Sequence, residues 1–453
     1  MGIPAVTVAR LYKGEKLNQS YFDLRFSFEQ FPYSSLIKTS SFNKHVTDSA
    51  ASAVALFCGY KVDHYTLGLL PGRPQDCSSN EEDLIRDGIA ELALRKGLSF
   101  GFVTTDRITG ATPGAMYAKG VNRRFSSDIA VEKWNVPLCR GKDMASQLLQ
   151  YPANQFKVLM GGGAADLLPT PLGSRNDRRN IPQEWLSFSG SRIYINSTQS
   201  FDNLDPRRNT KVLGLFAHYR LPYYLDQTLT QQRTVPRLKE LTEKAIQIME
   251  KDNPNGYFLM VEGGNIDVAE HRNQMRLASE EVLEMDEAVK TARRMTNPSD
   301  TLVLVTADHS HAVSLPGYMD KTHSVFENEK WQEGQRETDP PVPGIFFAVG
   351  PGAHRTINYD PAEGKDPNFQ SPAAIYAELG SHGGEDVGLW ADGPLSWLFS
   401  GSMENSEVAH LIEQKNYHHP LVVIREIQKN YHRPLDVILE IQKKLSNGLR
   451  HEV

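Results

Sequence analysis

Residues 257–271 read YFLMVEGGNIDVAEH. The apolar run Tyr257–Val261 does not alternate with polar residues, as expected of a strand buried on both faces of a parallel sheet. A Gly-Gly turn follows, and a helical turn after it would place Asp267 and His271, four apart, on one face. Asp plus His at that spacing suits a zinc ion. Glu262 closes the strand, where a buried carboxylate without a partner would be costly and a nearby cation would remove the cost. Taken alone, the stretch also reads as a Gly-rich turn entering a charged surface helix.

The same grammar recurs at residues 301–311, TLVLVTADHSH. An apolar strand again runs into a carboxylate and histidines, at the end where α/β sheets build their sites. Asp308 and His309 point different ways, so they suit two neighbouring metals or one metal and its surroundings. On spacing alone this is equally a polar loop with a capping Asp. Two such clusters at two strand ends weigh against the plain reading of each.

Working outward, further short strands are predicted at Phe100–Thr105, Phe156–Met160, Arg192–Ile195 and Gly344–Val349. Helices are predicted at Glu81–Lys96, Pro236–Lys251 and Ser279–Met295; the last carries acidic residues first and Arg293-Arg294 last, which suits its dipole. Alternating strands and helices predict one α/β fold, a large, mostly parallel central sheet flanked by helices on both faces. Residues 319–342 read as a polar excursion from that sheet.

A third signal is Asp48-Ser49-Ala50-Ala51-Ser52-Ala53. Ser49 would stand at the start of a small-residue helix, where backbone N–H groups favour an anion. An ordinary serine cap is the commoner meaning. The metal-type residues elsewhere promote it, because zinc can lower a hydroxyl pKa and make serine a nucleophile without a histidine base. Thr112 in Gly110-Ala111-Thr112-Pro113 offers a hydroxyl to a hard cation, and Arg123 offers a guanidinium fork to phosphate oxygens. His382 sits in a Gly-rich turn, where histidine is usually a plain loop residue.

Composition bounds the alternatives. The 453 residues carry 49 Lys+Arg against 55 Asp+Glu, a net charge of −6, which argues against a nucleic-acid partner. Hydrophobic residues at 40% and charged residues at 23% suffice for a sizeable core and exclude overall disorder. No apolar run is long enough for a membrane span, the first residues lack a signal-peptide core, and Val6 stands where a myristoylation signal wants Ser or Thr. Cys58, Cys77 and Cys139 suit one pair plus a free thiol in a secreted protein or three reduced thiols in a cytosolic one. Sequons at Asn18 and Asn196 lean toward secretion and glycosylation; the missing signal peptide leans the other way. From about residue 413 the chain changes character. Lys415–Gln428 and Lys429–Gln442 are near-identical copies, read as a surface helical tail.

Six motifs in order, DSAASA at 48–53, TGATP at 109–113, VNRRFSSD at 121–128, VEGGNIDVAEH at 261–271, TADHSH at 306–311 and SHGGEDV at 381–387, resemble the alkaline phosphatase family, its animal branch in particular. The resemblance spans residues 1–412 as one domain, with 413–453 as an atypical tail. It implies a phosphomonoesterase with two zinc ions and one magnesium ion, acting through a phosphoserine on Ser49. It implies Asp267, His271 and His382 as ligands of one zinc and Asp308 and His309 as ligands of the other, which activates Ser49. It assigns Glu262 and Thr112 to magnesium, Arg123 to the phosphate with Asp48 as its orienter, and His311 to a supporting position behind the metal. It also implies a Cys77–Cys139 disulfide with Cys58 as a buried thiol. A homodimer at the outer cell surface or in the extracellular space, held in some relatives by a lipid anchor, goes with the family.

The chain departs from the pattern in four places. The family's first central strand ends Gly-Asp-Gly before a Met-Gly pair, and its Asp bridges the second zinc and magnesium; this chain starts at Met1-Gly2. The expectation is therefore an N-terminally truncated form lacking that strand, with catalytic impairment as the alternative to full activity. Gly110 stands where animal relatives commonly carry a histidine near magnesium. Ala217 follows Leu215-Phe216 where the family's calcium site wants a carboxylate. The tail lacks both the late cysteine pair and an apolar anchor signal. A sulfatase is disfavoured, since no Cys or Ser precedes a Pro by two with Arg two after it, and Arg123 favours a terminal phosphate over a diester.

Overall fold

The computed structural model describes residues 1–19, 24–208, 210–251, 253–329, 334–355 and 359–415. Met1–Glu413 form one compact unit. Nearly all of the tail, with both 14-residue copies beyond Lys415, lies outside the described residues.

Nine strands make the two largest sheets among the described residues: β1 (Tyr33–Lys38), β2 (Ser99–Arg107), β3 (Val158–Gly162), β4 (Arg192–Ile195), β5 (Lys211–Leu215), β6 (Tyr257–Glu262), β7 (Val303–Val305), β8 (Val387–Asp392) and β9 (Gly401–Glu404). The first sheet runs β4-β5-β3-β2-β6 and is parallel throughout. The second runs β9-β1-β8-β7 and is mixed. One continuous sheet was the sequence expectation. The parallel architecture holds, but β6 and β7, whose carboxyl ends carry the two metal-type motifs, are edge strands of separate sheets.

The unbroken apolar runs are explained by burial on both faces. Phe100, Phe102, Leu159, Leu213 and Leu215 pack into one core, and Val103, Val158, Met160 and Val212 into another. Successive residues point to opposite faces, so both faces must be apolar. After α1 (Ile3–Leu17), the first core is closed by the helices α2 (Ser49–Cys58) and α3 (Ala111–Ala115), the second by α4 (Leu238–Glu250). Two further helices, α5 (Asn265–His271) and α6 (Met275–Met295), follow β6. No described helix is long and apolar enough to cross a membrane.

Two helix expectations change. The predicted helix over residues 81–96 is a 3₁₀ turn at Glu81–Asp83 and then a helix only at Ile89–Arg95, because Gly88 breaks the run and becomes the helix's N-cap. The predicted start at Ser279 moves back to Met275, so Glu280 and Glu281 lie in the second turn and are buried. They serve tertiary contacts there, not the helix dipole.

Candidate metal centre and nucleophile

α2 begins where the first core needs a tightly packed helix. Its run of Ala and Val is almost wholly buried, and small residues let it pack closely against α3. Asp48, not Ser49, is the N-cap: its carboxylate accepts from Ala50 N and Ala51 N. Ser49 is thereby the first helical residue, and its Oγ lies 3.1 Å from His309 Nε2. Arg123 Nη1 donates to Asp48 Oδ2 at 3.2 Å, and Tyr65 N donates to Oδ1 at 2.8 Å. One carboxylate thus caps the helix and holds the guanidinium beside its first turn. Burial works against the Arg123 charge, but Asp48 outweighs it and raises the guanidinium pKa.

The β6 and β7 motifs converge on this helix start. Asp267 and His271 do share a face of α5, with His271 Nε2 3.4 Å from Asp267 Oδ1. A two-residue antiparallel ladder places His311 opposite His382, which carries the Gly-rich turn of the last motif into the same place. Asp267, His309, His311 and His382 offer ligand atoms all within 4.8 Å of one another. The tightest contact is His311 Nε2 to Asp267 Oδ1 at 2.7 Å. Asp308 Oδ2 lies 3.2 Å from His309 Nε2.

The tautomers are set from outside. His271 Nδ1 lies 2.6 Å from Gly380 O, His382 Nδ1 2.8 Å from Thr47 O and His309 Nδ1 3.2 Å from Ser310 O. A carbonyl only accepts, so each Nδ1 carries the proton and each Nε2 presents a lone pair. His271 Nε2 and His382 Nε2 then face each other at 3.2 Å, lone pair to lone pair. A cation between them, or a proton shared by the two rings, would make that contact favourable. Burial pushes His382 down to about 4 against the opposing effect of Asp267, and burial, with His382 beside it, pushes His309 well below the imidazole range, so both are neutral. Burial alone would raise Asp267, but the His311 hydrogen bond and the surrounding imidazoles hold it far below the usual carboxylate range. Neutral imidazoles and an ionised carboxylate are the donor set of zinc.

The oxygen-rich half lies at the end of β6. Thr104 is in register with Glu262, its hydroxyl donates to Glu262 Oε2, and Thr112 bonds the same carboxylate. Burial first, and the Asp106 charge second, push Glu262 up to about 7. Burial likewise raises Asp308. Carboxylate and hydroxyl oxygens without nitrogen suit a hard cation such as magnesium.

Three residues at this site escaped the sequence reading. Thr104 and Asp106 sit in the TTDR stretch that precedes TGATP, and only the register of β2 against β6 brings them to Glu262. Glu270 is fully buried with neither carboxylate oxygen hydrogen bonded, and its charge, with Asp267, lifts His311 against the effect of burial. Nothing in DVAEH distinguishes it from a surface glutamate. Among the remaining expectations, Cys77 and Cys139 are joined by a disulfide and Cys58 is a buried free thiol. Asn18 and Asn196 are exposed; Ser20 of the first sequon lies outside the described residues.

Residues 1–417 match the alkaline phosphatase family. The chain belongs to that family. An alkaline phosphatase described as membrane-bound, from Bombyx mori, is 36% identical over 90% of this chain and 77% of its own length. The alkaline phosphatase of Gadus morhua is 33% identical over 90% of this chain and 88% of its own. Two solved alkaline phosphatases share the fold. That of the Antarctic bacterium TAB5 has a TM-score of 0.62 at 24% identity, covering 92% of this chain and 94% of its own. That of Thermus thermophilus has a TM-score of 0.67 at 20% identity, covering 98% and 93%. As an alkaline phosphatase the chain is a phosphoric monoester hydrolase of a metal-dependent family, and the histidine–aspartate cluster offers a donor set that could hold a metal ion.

Proposed function

We propose that this alkaline phosphatase hydrolyses phosphate monoesters by in-line attack of Ser49 Oγ on phosphorus, with two zinc ions and one magnesium ion as resident metals. The observation that carries the reading is the pair of opposed Nε2 lone pairs on His271 and His382, 3.2 Å apart beside Asp267. Asp267, His271 and His382 would hold one zinc; Asp308, His309 and Ser49 would hold the second; Glu262 and Thr112 would hold magnesium. The zinc ions supply Lewis acidity and a lowered hydroxyl pKa.

The chain's own residues do the rest. Asp48 fixes Arg123 so that its fork can take two phosphate oxygens, and the start of α2 adds a favourable dipole. Ser49 is placed as nucleophile by its position as first helical residue. His311 steadies Asp267 through its Nε2–H. A His-to-Asp variant of the related TAB5 enzyme has magnesium bound in its M3 site, which supports magnesium as the third metal.

A homodimer at the outer cell surface, glycosylated at Asn196 and Asn18, completes the reading. Its support is the membrane-bound relative, the exposure of both asparagines and the disulfide. The test is phosphoserine trapping. With zinc and magnesium present, a 32P-labelled phosphate monoester should label the wild-type chain at Ser49 after acid quench and release inorganic phosphate. Hydrolysis without any labelled serine would overturn the assignment of the nucleophile.

A further inference from the structure

We propose that Asp106 supplies a third protein ligand to the hard-cation site built on Glu262 and Thr112. The inference rests on the magnesium reading above and extends it to a residue that no motif of the family singled out.

Backbone geometry aims Asp106 at that site. Thr104 lies in register with Glu262, and its hydroxyl bonds Glu262 while accepting from Asp106 N at 2.9 Å. Asp106 N turns back onto the Thr104 hydroxyl, so one hydroxyl ties the Asp106 backbone to Glu262. The register of β2 against β3 slips between Val103 and Arg107, the kind of bulge that re-aims a side chain at a strand end.

Two glycines make room for it. A Cβ on Gly264 would come within 2.9 Å of Asp106 Cβ, and a Cβ on Gly110 within 3.0 Å of Asp106 Oδ2. The carboxylate, with the Arg107 carbonyl oxygen 2.9 Å from the same point, therefore fills the volume that a side chain at position 110 would enter.

The two oxygens of Asp106 are not equivalent. Oδ1 stands 2.8 Å from Arg220 Nε, an ion pair, and accepts no aligned hydrogen bond. Oδ2 is the oxygen directed at Gly110. Magnesium takes one or two carboxylates, keeps several waters and demands oxygen. Glu262, Asp106 and the Thr112 hydroxyl meet that demand without a nitrogen donor. An ion pair with Arg220 alone would explain Oδ1; it would not explain why Oδ2 occupies the space cleared by Gly110.

The test is magnesium binding, measured by titration calorimetry on the full chain already loaded with zinc, with zinc counted by mass spectrometry. Wild type should take up one magnesium. Asp106→Asn is nearly isosteric and should weaken magnesium by about 10- to 100-fold with zinc content unchanged. Arg220→Gln should bind magnesium within a few-fold of wild type. Unchanged affinity in D106N overturns the proposal, and so does an equal loss in R220Q, which would make the ion pair the cause. If zinc-loaded wild type takes up no magnesium, the magnesium reading itself fails, and this result is distinct from the other two.

Discussion

Ser49 Oγ stands 3.1 Å from His309 Nε2, a nitrogen whose lone pair is exposed because Nδ1 of the same ring faces the Ser310 carbonyl. A neutral imidazole beside a serine invites a reading as general base. The burial that pushes His309 far below the imidazole range makes it a poor proton acceptor. The same burial makes it a good metal ligand. Ser49→Ala should therefore lower kcat by on the order of 10³-fold or more while leaving most zinc bound, since His309 and Asp308 still hold the second ion and the first keeps all its ligands. His309→Ala should lose zinc as well as rate. Zinc content and turnover measured on both variants distinguish a metal-activated serine from a histidine-activated one.

Asp48 does two separable jobs. It accepts backbone N–H bonds at the start of α2 and holds Arg123 by charge. Asp48→Ala should cost about 1 kcal/mol of stability through the lost cap and also weaken substrate binding. Asp48→Asn keeps an acceptor for the cap but removes the charge. It should melt close to wild type while raising KM. Arg123→Ala should raise KM by about 10- to 100-fold, the range for charge-assisted hydrogen bonds, and Arg123→Lys should not restore it. Equal melting temperatures for D48A and D48N would contradict this division of labour.

Local signals made the strands legible: an apolar run entering a Gly-Gly turn, with Asp267 and His271 at helical spacing, needs no long-range information. The same holds for the polarity of Glu262 and Asp308 at strand ends. What sequence spacing could not carry was register. His382 reaches the cluster because a two-residue ladder pairs it with His311, and Asp106 reaches Glu262 because β2 and β6 are aligned as they are. Both depend on contacts across long stretches of chain. The division into two sheets was illegible for the same reason, since β6 and β7 read alike one strand at a time.

The opposed Nε2 atoms of His271 and His382 make metal removal a stability experiment. In the absence of a cation these lone pairs and the Asp267 charge are held together by the fold at a cost. Any ion that binds them only in the folded state stabilises it, by ~4 kcal/mol at a thousandfold excess over Kd. Chelation should lower Tm by several degrees and added zinc should restore it. His382→Ala should remove most of that zinc-dependent gain. In the metal-free protein the same substitution should cost far less than a typical buried truncation, because it also removes the repulsion. A metal-free H382A protein that melts well below metal-free wild type would show that His382 is held by packing and not awaiting an ion.

Away from the metals, Glu281 gives a pH dependence with a definite sign. It is buried on α6 and accepts from Tyr224 N at 2.7 Å; burial, with the nearby charges of Glu284, Glu280 and Asp226 adding to it, pushes its carboxyl up to about 8. An unfolded glutamate titrates near ~4.3. Between these values the folded chain holds a proton that the unfolded chain has lost, so stability falls as pH rises. The contribution is fully present below about pH 4.3 and exhausted above about pH 8. Glu281→Gln keeps the acceptor for Tyr224 and has no proton to lose. The difference in Tm between E281Q and wild type should therefore be small at pH 5 and grow by several degrees by pH 8, with the variant the more stable. Taking the difference cancels other titrating groups, including Glu262 and Asp308, provided both proteins carry the same metals. A constant difference across that range would mean that Glu281 is ionised in the folded chain throughout.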